Sequence, residues 1–224
     1  MNRRELALKI DHTILKPEAA EASIDQLCDE AVGYGFYAVC VNSIWIRHCS
    51  RRLAGSGVCV AGVAGFPLGA DATEILVAQA KRAIDDGAVE VDMVIRIGDL
   101  VAGNISVVAD DVAAVAEVIH DASEDYVLKV ILETAALNEE QIVAGCRCAV
   151  DAGADFVKTS TGFHPAGGAT VEAVRLLARH ARPLRVKAAG GIRDLAGALA
   201  MLEAGADRLG CSAGVKIVNE IASV

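Results

Sequence analysis

A lysine lies in the middle of a short apolar segment of this sequence. The segment ADFVKTSTGF, residues 154–163, has the length and composition of a buried β-strand, yet Lys158 places an ammonium group within it. A buried ammonium group without a partner costs several kcal/mol or loses its proton. A deprotonated lysine is a nucleophile that condenses with carbonyl compounds to a Schiff base. The segment therefore indicates carbonyl chemistry at Lys158.

Other ionisable residues fall on the same face of neighbouring apolar segments. Alternate side chains of a strand share a face, so the polar positions of consecutive strands can meet on one side of a sheet. This alternation predicts an inward-facing cluster of two carboxylates and three amines: Asp92, Lys129, Glu133, Lys158 and Lys187. Such a cluster at strand tips is typical of a catalytic site, although a buried ion-pair network that only fixes strand register would have the same composition.

The reactivity of an amine in this cluster depends on its pKa. A lysine with an ordinary pKa near 10.4 is neutral about once in a thousand molecules at a pH of about 7.5. Lys158 and Lys187 occupy matching positions on consecutive strands. A second ammonium group about 5 Å away, at an effective dielectric constant of about 20, adds about 3 kcal/mol of repulsion and lowers the pKa by about two units.

This repulsion acts equally on both amines, so it does not say which of them is the nucleophile. Asp92 is expected to relay protons during imine formation. Its alternative role is that of a counter-ion to Lys129 or Lys187.

The residues of the cluster belong to a series of eight short β-rich runs. Helical stretches separate these runs, and no linker or break in composition interrupts the series. The predicted strands cover residues 10–15, 37–42, 58–65, 89–95, 126–133, 154–160, 184–190 and 207–212. Eight strand–helix units predict an α/β protein with a single (β/α)8 TIM barrel over residues 1–224; an open doubly wound sheet is the alternative.

Local patterns predict where helices end and which side they bury. Three segments, DDGAVEVDMVI, DAGADFVKTS and EAGADRLGCS, place a glycine between a helix and the next strand. Glycine in this position adopts the left-handed conformation that ends helices. In the helical stretch over residues 73–87 we expect Ile75, Ala78, Ala83 and Ile84 to lie near one apolar face.

The composition narrows the classes of partner. The 224 residues are 54% hydrophobic and carry a formal net charge of -9, so the chain has no basic field to attract nucleic acid or an anionic membrane. The first residues lack the pattern of a secretion signal, and no apolar stretch approaches the roughly 18 residues of a membrane span. We therefore expect a cytoplasmic protein without nucleic-acid or membrane partners. Its seven cysteines contain no CxxC pair and are expected to be reduced core thiols.

Glycine-rich loops follow the last predicted strands. Glycines let backbone N–H groups approach a phosphate closely, and barrels commonly bind phosphate at the loops after their last two strands. The candidate positions are Gly162, Gly167, Gly168, Gly190, Gly191, Gly210, Ser212 and Gly214. These loops would let an acidic protein hold a phosphorylated substrate locally.

The whole chain resembles the deoxyribose-phosphate aldolase family in motifs that occur in order from end to end. These are IDHTILKP at 10–17, VCVN at 39–42, GFPLG at 65–69, VDMVI at 91–95, LKVILET at 128–134, ADFVKTSTGF at 154–163, VKAAGGIRD at 186–194 and AGADRLGCS at 204–212. The segments around Lys158 and Lys187 are the most specific of these matches.

The resemblance implies a lyase, namely a class I aldolase without cofactor or metal. Such an enzyme reversibly cleaves 2-deoxy-D-ribose 5-phosphate into D-glyceraldehyde 3-phosphate and acetaldehyde in deoxyribose phosphate catabolism. By matching motifs, Lys158 is the Schiff-base lysine, Lys187 lowers its pKa and Asp92 is the proton-relay acid. The implied substrate-binding residues are Asp11, Thr13, Cys40, Thr161, Gly162, Gly190, Gly191, Gly210 and Ser212. Related aldolases often form dimers or tetramers, so the resemblance also implies a homodimer or homotetramer.

Some positions depart from the usual pattern of the family. Arg96 replaces a frequent asparagine, and Ala189 a frequent serine. Cys211 and Ala213 replace residues with hydroxyl groups, which would make phosphate binding depend more on backbone amides.

Three other functions remain open at this point. The barrel could be a lyase or isomerase that uses the lysines only to stabilise charge, or a binding module without activity. A metal-dependent aldolase is disfavoured because the five histidines do not gather on the inward strand faces.

Overall fold

The chain folds into a closed barrel of eight parallel strands in sequence order, which confirms the predicted (β/α)8 architecture over the open sheet. The structure is a computed structural model and describes residues 1–221. The strands are β1 (Ile10–Ile14), β2 (Ala38–Val41), β3 (Cys59–Ala64), β4 (Glu90–Val94), β5 (Val127–Ile131), β6 (Phe156–Lys158), β7 (Arg185–Ala189) and β8 (Arg208–Cys211). Each predicted strand is present but shorter than expected, because the residues at its ends already belong to loops.

Helices follow the strands and form the outer layer. The α-helices are α1 (Arg3–Ala7), α2 (Glu21–Tyr34), α3 (Ser43–Arg52), α4 (Thr73–Asp85), α5 (Ile97–Ala102), α6 (Ile105–Ala122), α7 (Glu139–Asp151), α8 (Val171–His180), α9 (Leu195–Glu203) and α10 (Gly214–Asn219). A short 3-10 helix covers Thr134–Ala136. None of the helices within residues 1–221 is long and apolar enough to span a membrane.

The main hydrophobic core lies between the barrel and this helical layer. Val157, Val186 and Ala188 belong to it, whereas Lys158 and Lys187 alternate with them and lie on the inner face of the barrel. The outer face of a barrel strand packs against helices and therefore needs apolar side chains. The polar side chains of the strand are then confined to the alternate positions, which face the barrel interior. The alternation therefore positions the lysines.

The glycine joints also form as predicted. Gly87, Gly153 and Gly205 have φ values of 101°, 79° and 112°, in the region that side-chain-bearing residues rarely adopt. Each of these glycines lets a helix end and the chain turn directly into the next strand.

The predicted buried face of helix α4 was confirmed at Ala83 and wrong at Ile75 and Ala78. Ile75 is 46% exposed, whereas Leu76 and Ala80 are fully buried together with Ala83. Successive residues of a helix are separated by about 100°, so moving the centre of the apolar stripe by one position brings Leu76 to the core and Ile75 to the surface.

Candidate active site

The candidate active site lies inside the barrel at the carboxyl ends of strands β4 to β7. Strand register places Asp92 beside Lys129 across β4 and β5, and Lys158 beside Lys187 across β6 and β7. Strand β6 is only three residues long and ends at Lys158. The structure therefore brings together four of the five predicted cluster residues.

Asp92 is the shared partner of three lysines. Its Oδ2 accepts hydrogen bonds from Lys158 Nζ at 2.7 Å and from Lys187 Nζ at 2.8 Å, and its Oδ1 accepts one from Lys129 Nζ at 2.7 Å. Burial opposes ionisation of this carboxyl group, but the three ammonium groups outweigh burial and hold the pKa of Asp92 well below its usual range. Asp92 is therefore a carboxylate that lies between the two amines of interest.

The three lysines differ in how many carboxylates they contact. Lys187 also donates to Asp11 Oδ2 at 2.5 Å, and Lys129 Nζ also lies 2.7 Å from Glu90 Oε2. Lys158 contacts Asp92 alone, within the part of the chain that the structure describes. Lys158 thus shares its one counter-ion with two other cations.

This difference shifts the lysine pKa values in opposite directions. Burial lowers the pKa of Lys158, Lys187 lowers it further, and the attraction of Asp92 does not fully compensate. Burial also lowers the pKa of Lys187, but the carboxylates of Asp11 and Asp92 outweigh it and raise that pKa above its ordinary value. The mutual repulsion inferred from sequence acted on both amines alike, whereas unequal access to carboxylates makes Lys158 the amine that gives up its proton more readily than Lys187.

Lys158 is also the lysine of the cluster that reaches a cavity. A cavity of about 840 Å³ opens at the barrel mouth and is lined by Lys158, whereas Asp92, Lys129 and Lys187 lie beneath its wall. The Lys158 side chain is 3% exposed and that of Lys187 is fully buried. An amine at the cavity floor can meet a carbonyl carbon that enters from the mouth.

The residues expected to bind substrate separate into two layers. Most of them line the cavity: Thr13, Thr161, Gly162, Gly190, Gly191, Gly210 and Ser212. Asp11 and Cys40 lie below it with no exposed surface, and Asp11 instead accepts hydrogen bonds from Lys187 and from Arg208 Nη1. Burial would raise the pKa of Asp11, but Lys187, Lys129 and Arg208 lower it to about 2, so it is ionised at neutral pH.

The opposite half of the barrel interior is apolar. Leu15, Cys40, Ala61 and Val63 form a separate cluster on strands β2 and β3 and the end of β1, with Phe66 packed against it. The Phe66 ring meets the ring of Phe163 edge to face, with centroids 5.4 Å apart. Leu15 of this cluster and Phe163 line the cavity, so its wall combines apolar groups with the Lys158 amine.

Glu133 does not join the lysine cluster, contrary to the prediction from parity. It follows the end of β5 with a φ of 58°, and its Oε2 accepts a hydrogen bond from Thr161 Oγ1 at 2.5 Å. Parity applies only while the backbone stays extended, and the left-handed conformation at Glu133 turns its side chain toward the loop after β6. Glu133 therefore holds the loop that follows Lys158.

Sequence reasoning missed several charged residues of the site. Glu90 and Arg208 point into the barrel below Asp92, and Arg193 lines the cavity in the loop after β7. The spacing of Glu90, two residues before Asp92, was a usable signal because it gives the same parity. Arg208 shares the parity of Gly210 in the same way.

Arg96, which departs from the family pattern, lies outside this site. Its Nε donates to Asp111 Oδ2 at 2.5 Å, and its Nη2 donates to Thr73 Oγ1 at 3.1 Å. These contacts tie the segment after β4 to helices α4 and α6. Ala189 and Cys211 line the cavity wall.

The fold and the lysine-bearing interior place the chain among barrel aldolases. Residues 6–220 match the family model described as DeoC/LacD family aldolase, and the chain belongs to that family. The chain is 53% identical to deoxyribose-phosphate aldolase from Thermococcus kodakarensis over 222 residues, which cover 98% of each protein. It is 51% identical to deoxyribose-phosphate aldolase from Brevibacillus brevis, over 94% of this chain and 93% of that protein.

A solved structure agrees with these relationships. The tetrameric deoxyribose phosphate aldolase from Aeropyrum pernix has 32% sequence identity and a TM-score of 0.91, and the match covers 98% of this chain and 92% of the other. The resemblance seen in the sequence motifs is thereby confirmed over nearly the whole chain.

Proposed function

We propose that this protein is a deoxyribose-phosphate aldolase that uses Lys158 as its Schiff-base nucleophile. The reaction is the reversible cleavage of 2-deoxy-D-ribose 5-phosphate to D-glyceraldehyde 3-phosphate and acetaldehyde. The observation that carries the assignment of Lys158 is its position. It is the lysine of the buried cluster that lines the cavity, and it shares its one carboxylate with two other cations.

The first half of the reaction forms an imine. The neutral Lys158 amine adds to the aldehyde carbon C1 of the open-chain sugar, and the carbinolamine loses water to give an iminium ion. These steps move protons to and from oxygen and nitrogen. The Lys187 ammonium can donate a proton, and Asp92 Oδ2, which contacts both Nζ atoms, can pass protons between them.

The second half breaks the carbon–carbon bond. The C3 hydroxyl loses its proton, the C2–C3 bond cleaves, and its electron pair forms the enamine between C2, C1 and Nζ of Lys158. D-glyceraldehyde 3-phosphate leaves, the enamine takes a proton at C2, and hydrolysis of the resulting iminium ion releases acetaldehyde and the free amine. The cationic nitrogen acts as the electron sink, and the chain supplies the proton transfers.

Trapping of the imine tests this assignment. We expect acetaldehyde with borohydride to attach a reduced two-carbon group to Lys158, identified by mass spectrometry of peptides, and 2-deoxy-D-ribose 5-phosphate to compete with the labelling. An enzyme that turns the sugar over without any such adduct would instead be an acid–base lyase that uses its lysines only as charges. Activity that a chelator abolishes and a divalent ion restores would point to a metal-dependent aldolase.

The glycine loops at the cavity rim are proposed to hold the phosphate group. Gly190 has a φ of 94°, and a Cβ atom there would lie 3.0 Å from the Cα of Gly168 and 3.4 Å from the Cα of Gly162. The loop after β6 thus approaches the loop after β7 closely at two points, where N–H groups can face an anion. Arg193, in the same rim, adds a positive charge.

Substitution of Gly190 by alanine should weaken binding of the phosphorylated sugar. We expect Gly190→Ala to raise KM about tenfold or more, because both the positive φ and the close backbone force the loop to move, at a cost of about 1–3 kcal/mol. Trapping of acetaldehyde, which has no phosphate, should change little. Gly98→Ala is the matched control, since a Cβ at Gly98 meets nothing within 4 Å. An unchanged KM would remove Gly190 from the phosphate site.

The assembly of the protein also belongs to this proposal. The relative from Aeropyrum pernix is tetrameric, and we infer a homo-oligomer for this chain. Whether it is a dimer or a tetramer, and its cytoplasmic location, stay predictions.

A further inference from the structure

Six buried charged residues form a closed ring beneath the cavity, which we call the interior ion ring. Three carboxylates and three cations alternate around it: Asp92, Lys129, Glu90, Arg208, Asp11 and Lys187. Their closest nitrogen–oxygen distances in that order, returning to Asp92, are 2.7, 2.7, 3.5, 2.8, 2.5 and 2.8 Å. The ring crosses the barrel interior from β4 and β5 to β7, β8 and β1.

Glu90 and Arg208 close the ring at its lower side. Glu90 lies within ion-pair distance of both Lys129 and Arg208. The geometry of these contacts is not that of a hydrogen bond, and neither carboxylate oxygen has a hydrogen-bond partner among the described residues. The Arg208 guanidinium lies over the ring of Tyr37, 3.4 Å from its centroid, and 5.6 Å from the centroid of Phe156. Neither residue lines the cavity, so neither is placed to touch a substrate.

The interior ion ring is electrically balanced without Lys158. Its three carboxylates match its three cations, and within residues 1–221 Lys158 joins it only through Asp92. The other ionisable groups that face Lys158 do not change this count. Burial raises the pKa of the Cys40 thiol on β2, which keeps it neutral, and the Glu133 carboxyl group is turned to Thr161 and forms no ion pair with the amines among the described residues. A protonated Lys158 would therefore be one cation in excess inside a closed, low-dielectric barrel.

We propose that Glu90 and Arg208 are positioning residues that complete the interior ion ring and so determine which amine is left without a counter-ion of its own and from what pH it reacts. This inference rests on the proposed Schiff-base function of Lys158. It concerns residues outside the reacting set, which act through Asp11, Lys129 and Asp92.

The directions of the pKa shifts agree with this arrangement. Burial lowers the pKa of each of these cationic groups. For Lys129, Lys187 and Arg208 the attraction of nearby carboxylates is larger than the effect of burial, so their pKa values are all raised. Lys158 is the one amine of this group with a lowered pKa. The cations of the ring therefore hold their protons more firmly than Lys158, which is attached to the ring from outside.

A charge-removal series tests the proposal through the pH dependence of imine trapping. Arg208→Met removes one cation from the ring and keeps an apolar group over Tyr37. The unbalanced carboxylate charge then favours protonation of Lys158. We expect the midpoint of the pH profile of acetaldehyde trapping to rise by about one pH unit or more. At a pH below that midpoint, labelling should be about tenfold slower than in the wild type. Glu90→Gln, which removes one negative charge, should lower the midpoint.

The double variant Glu90→Gln/Arg208→Met restores the balance of charge and should return the midpoint to that of the wild type. Arg185→Met is the matched control, because Arg185 also lies over the Phe156 ring, at 4.2 Å, but it is exposed and outside the ring of ions. That control should leave the midpoint unchanged. A purely structural role for Glu90 and Arg208 would lower thermal stability in both single variants without moving the midpoint.

Each outcome bears on a different claim. If wild-type Lys158 takes no adduct, the proposed Schiff-base function fails. If Lys158 is labelled but Arg208→Met does not raise the midpoint, or the double variant does not restore it, the role of the ring is rejected while the function stands. If Arg208→Met does not fold, Glu90→Gln decides: a lower midpoint supports the ring, and an unchanged one overturns it.

Discussion

The variant Lys158→Met is expected to lose at least about four orders of magnitude in turnover of 2-deoxy-D-ribose 5-phosphate, equivalent to about 5 kcal/mol or more of transition-state stabilisation. Methionine fills a similar volume but cannot form an imine. Steady-state kinetics with a coupled aldehyde assay would measure the loss, and borohydride trapping should yield no adduct. Lys81→Met, on the exposed side of α4, is the matched control and should retain full activity.

The same variant should remain folded. Lys158→Met removes the one amine that the interior ion ring does not balance, so we expect its melting temperature to equal or exceed that of the wild type. An inactive variant that is also unfolded would not support the role of Lys158. Retained activity together with an adduct on Lys187 would reverse the assignment of the two lysines.

The second large effect is expected from Lys187→Leu, as a displaced pH–rate profile. Without Lys187, Asp92 Oδ2 keeps Lys158 as its remaining close cation, and the nearby positive charge that lowers the pKa of Lys158 is lost. The pKa of Lys158 should therefore rise. Because the neutral amine is the reactive form and is present above that pKa, the acid limb of the profile should move to higher pH, by about two units.

This shift separates electrostatic activation from simple damage to the fold. We expect about a hundredfold loss of rate at neutral pH, part of which returns as the pH is raised. The variant should also lose stability, by about 3–5 kcal/mol, because Asp11 and Asp92 lose a buried partner. A profile with an unchanged acid limb would mean that Lys187 does not control the proton of Lys158, whatever the effect on the melting temperature.

The extent to which sequence predicted the site depends on how local each feature is. The eight strands and the inward parity of Asp92, Lys129, Lys158 and Lys187 follow from two-residue periodicity, which is a property of each strand alone. The partners that distinguish the lysines are not local. Asp11 on β1 reaches Lys187 on β7 only because the barrel closes, and no periodicity within either segment indicates that contact.

Backbone geometry limited the prediction in a different way. Glu133 has the parity of Lys129, but its left-handed φ directs it to Thr161 instead of the lysines. Arg208, at the base of the barrel, has the sequence pattern of an ordinary residue at a strand end. Its buried partners Asp11 and Glu90 lie on other strands, so its own segment does not indicate them. Sequence predicted which lysines meet Asp92, and the structure added the further carboxylates that distinguish those lysines.

The division of the barrel interior into a charged half and an apolar half also has a consequence for redesign. The residues that determine the electrostatics lie on β4 to β8 and on β1, whereas Leu15 belongs to the apolar cluster, lines the cavity and carries no charge. The room available to the alkyl part of a carbonyl compound can therefore be enlarged or reduced on one wall while the acid–base machinery on the other stays intact. The scaffold separates size selection from proton transfer, so each can be altered without the other.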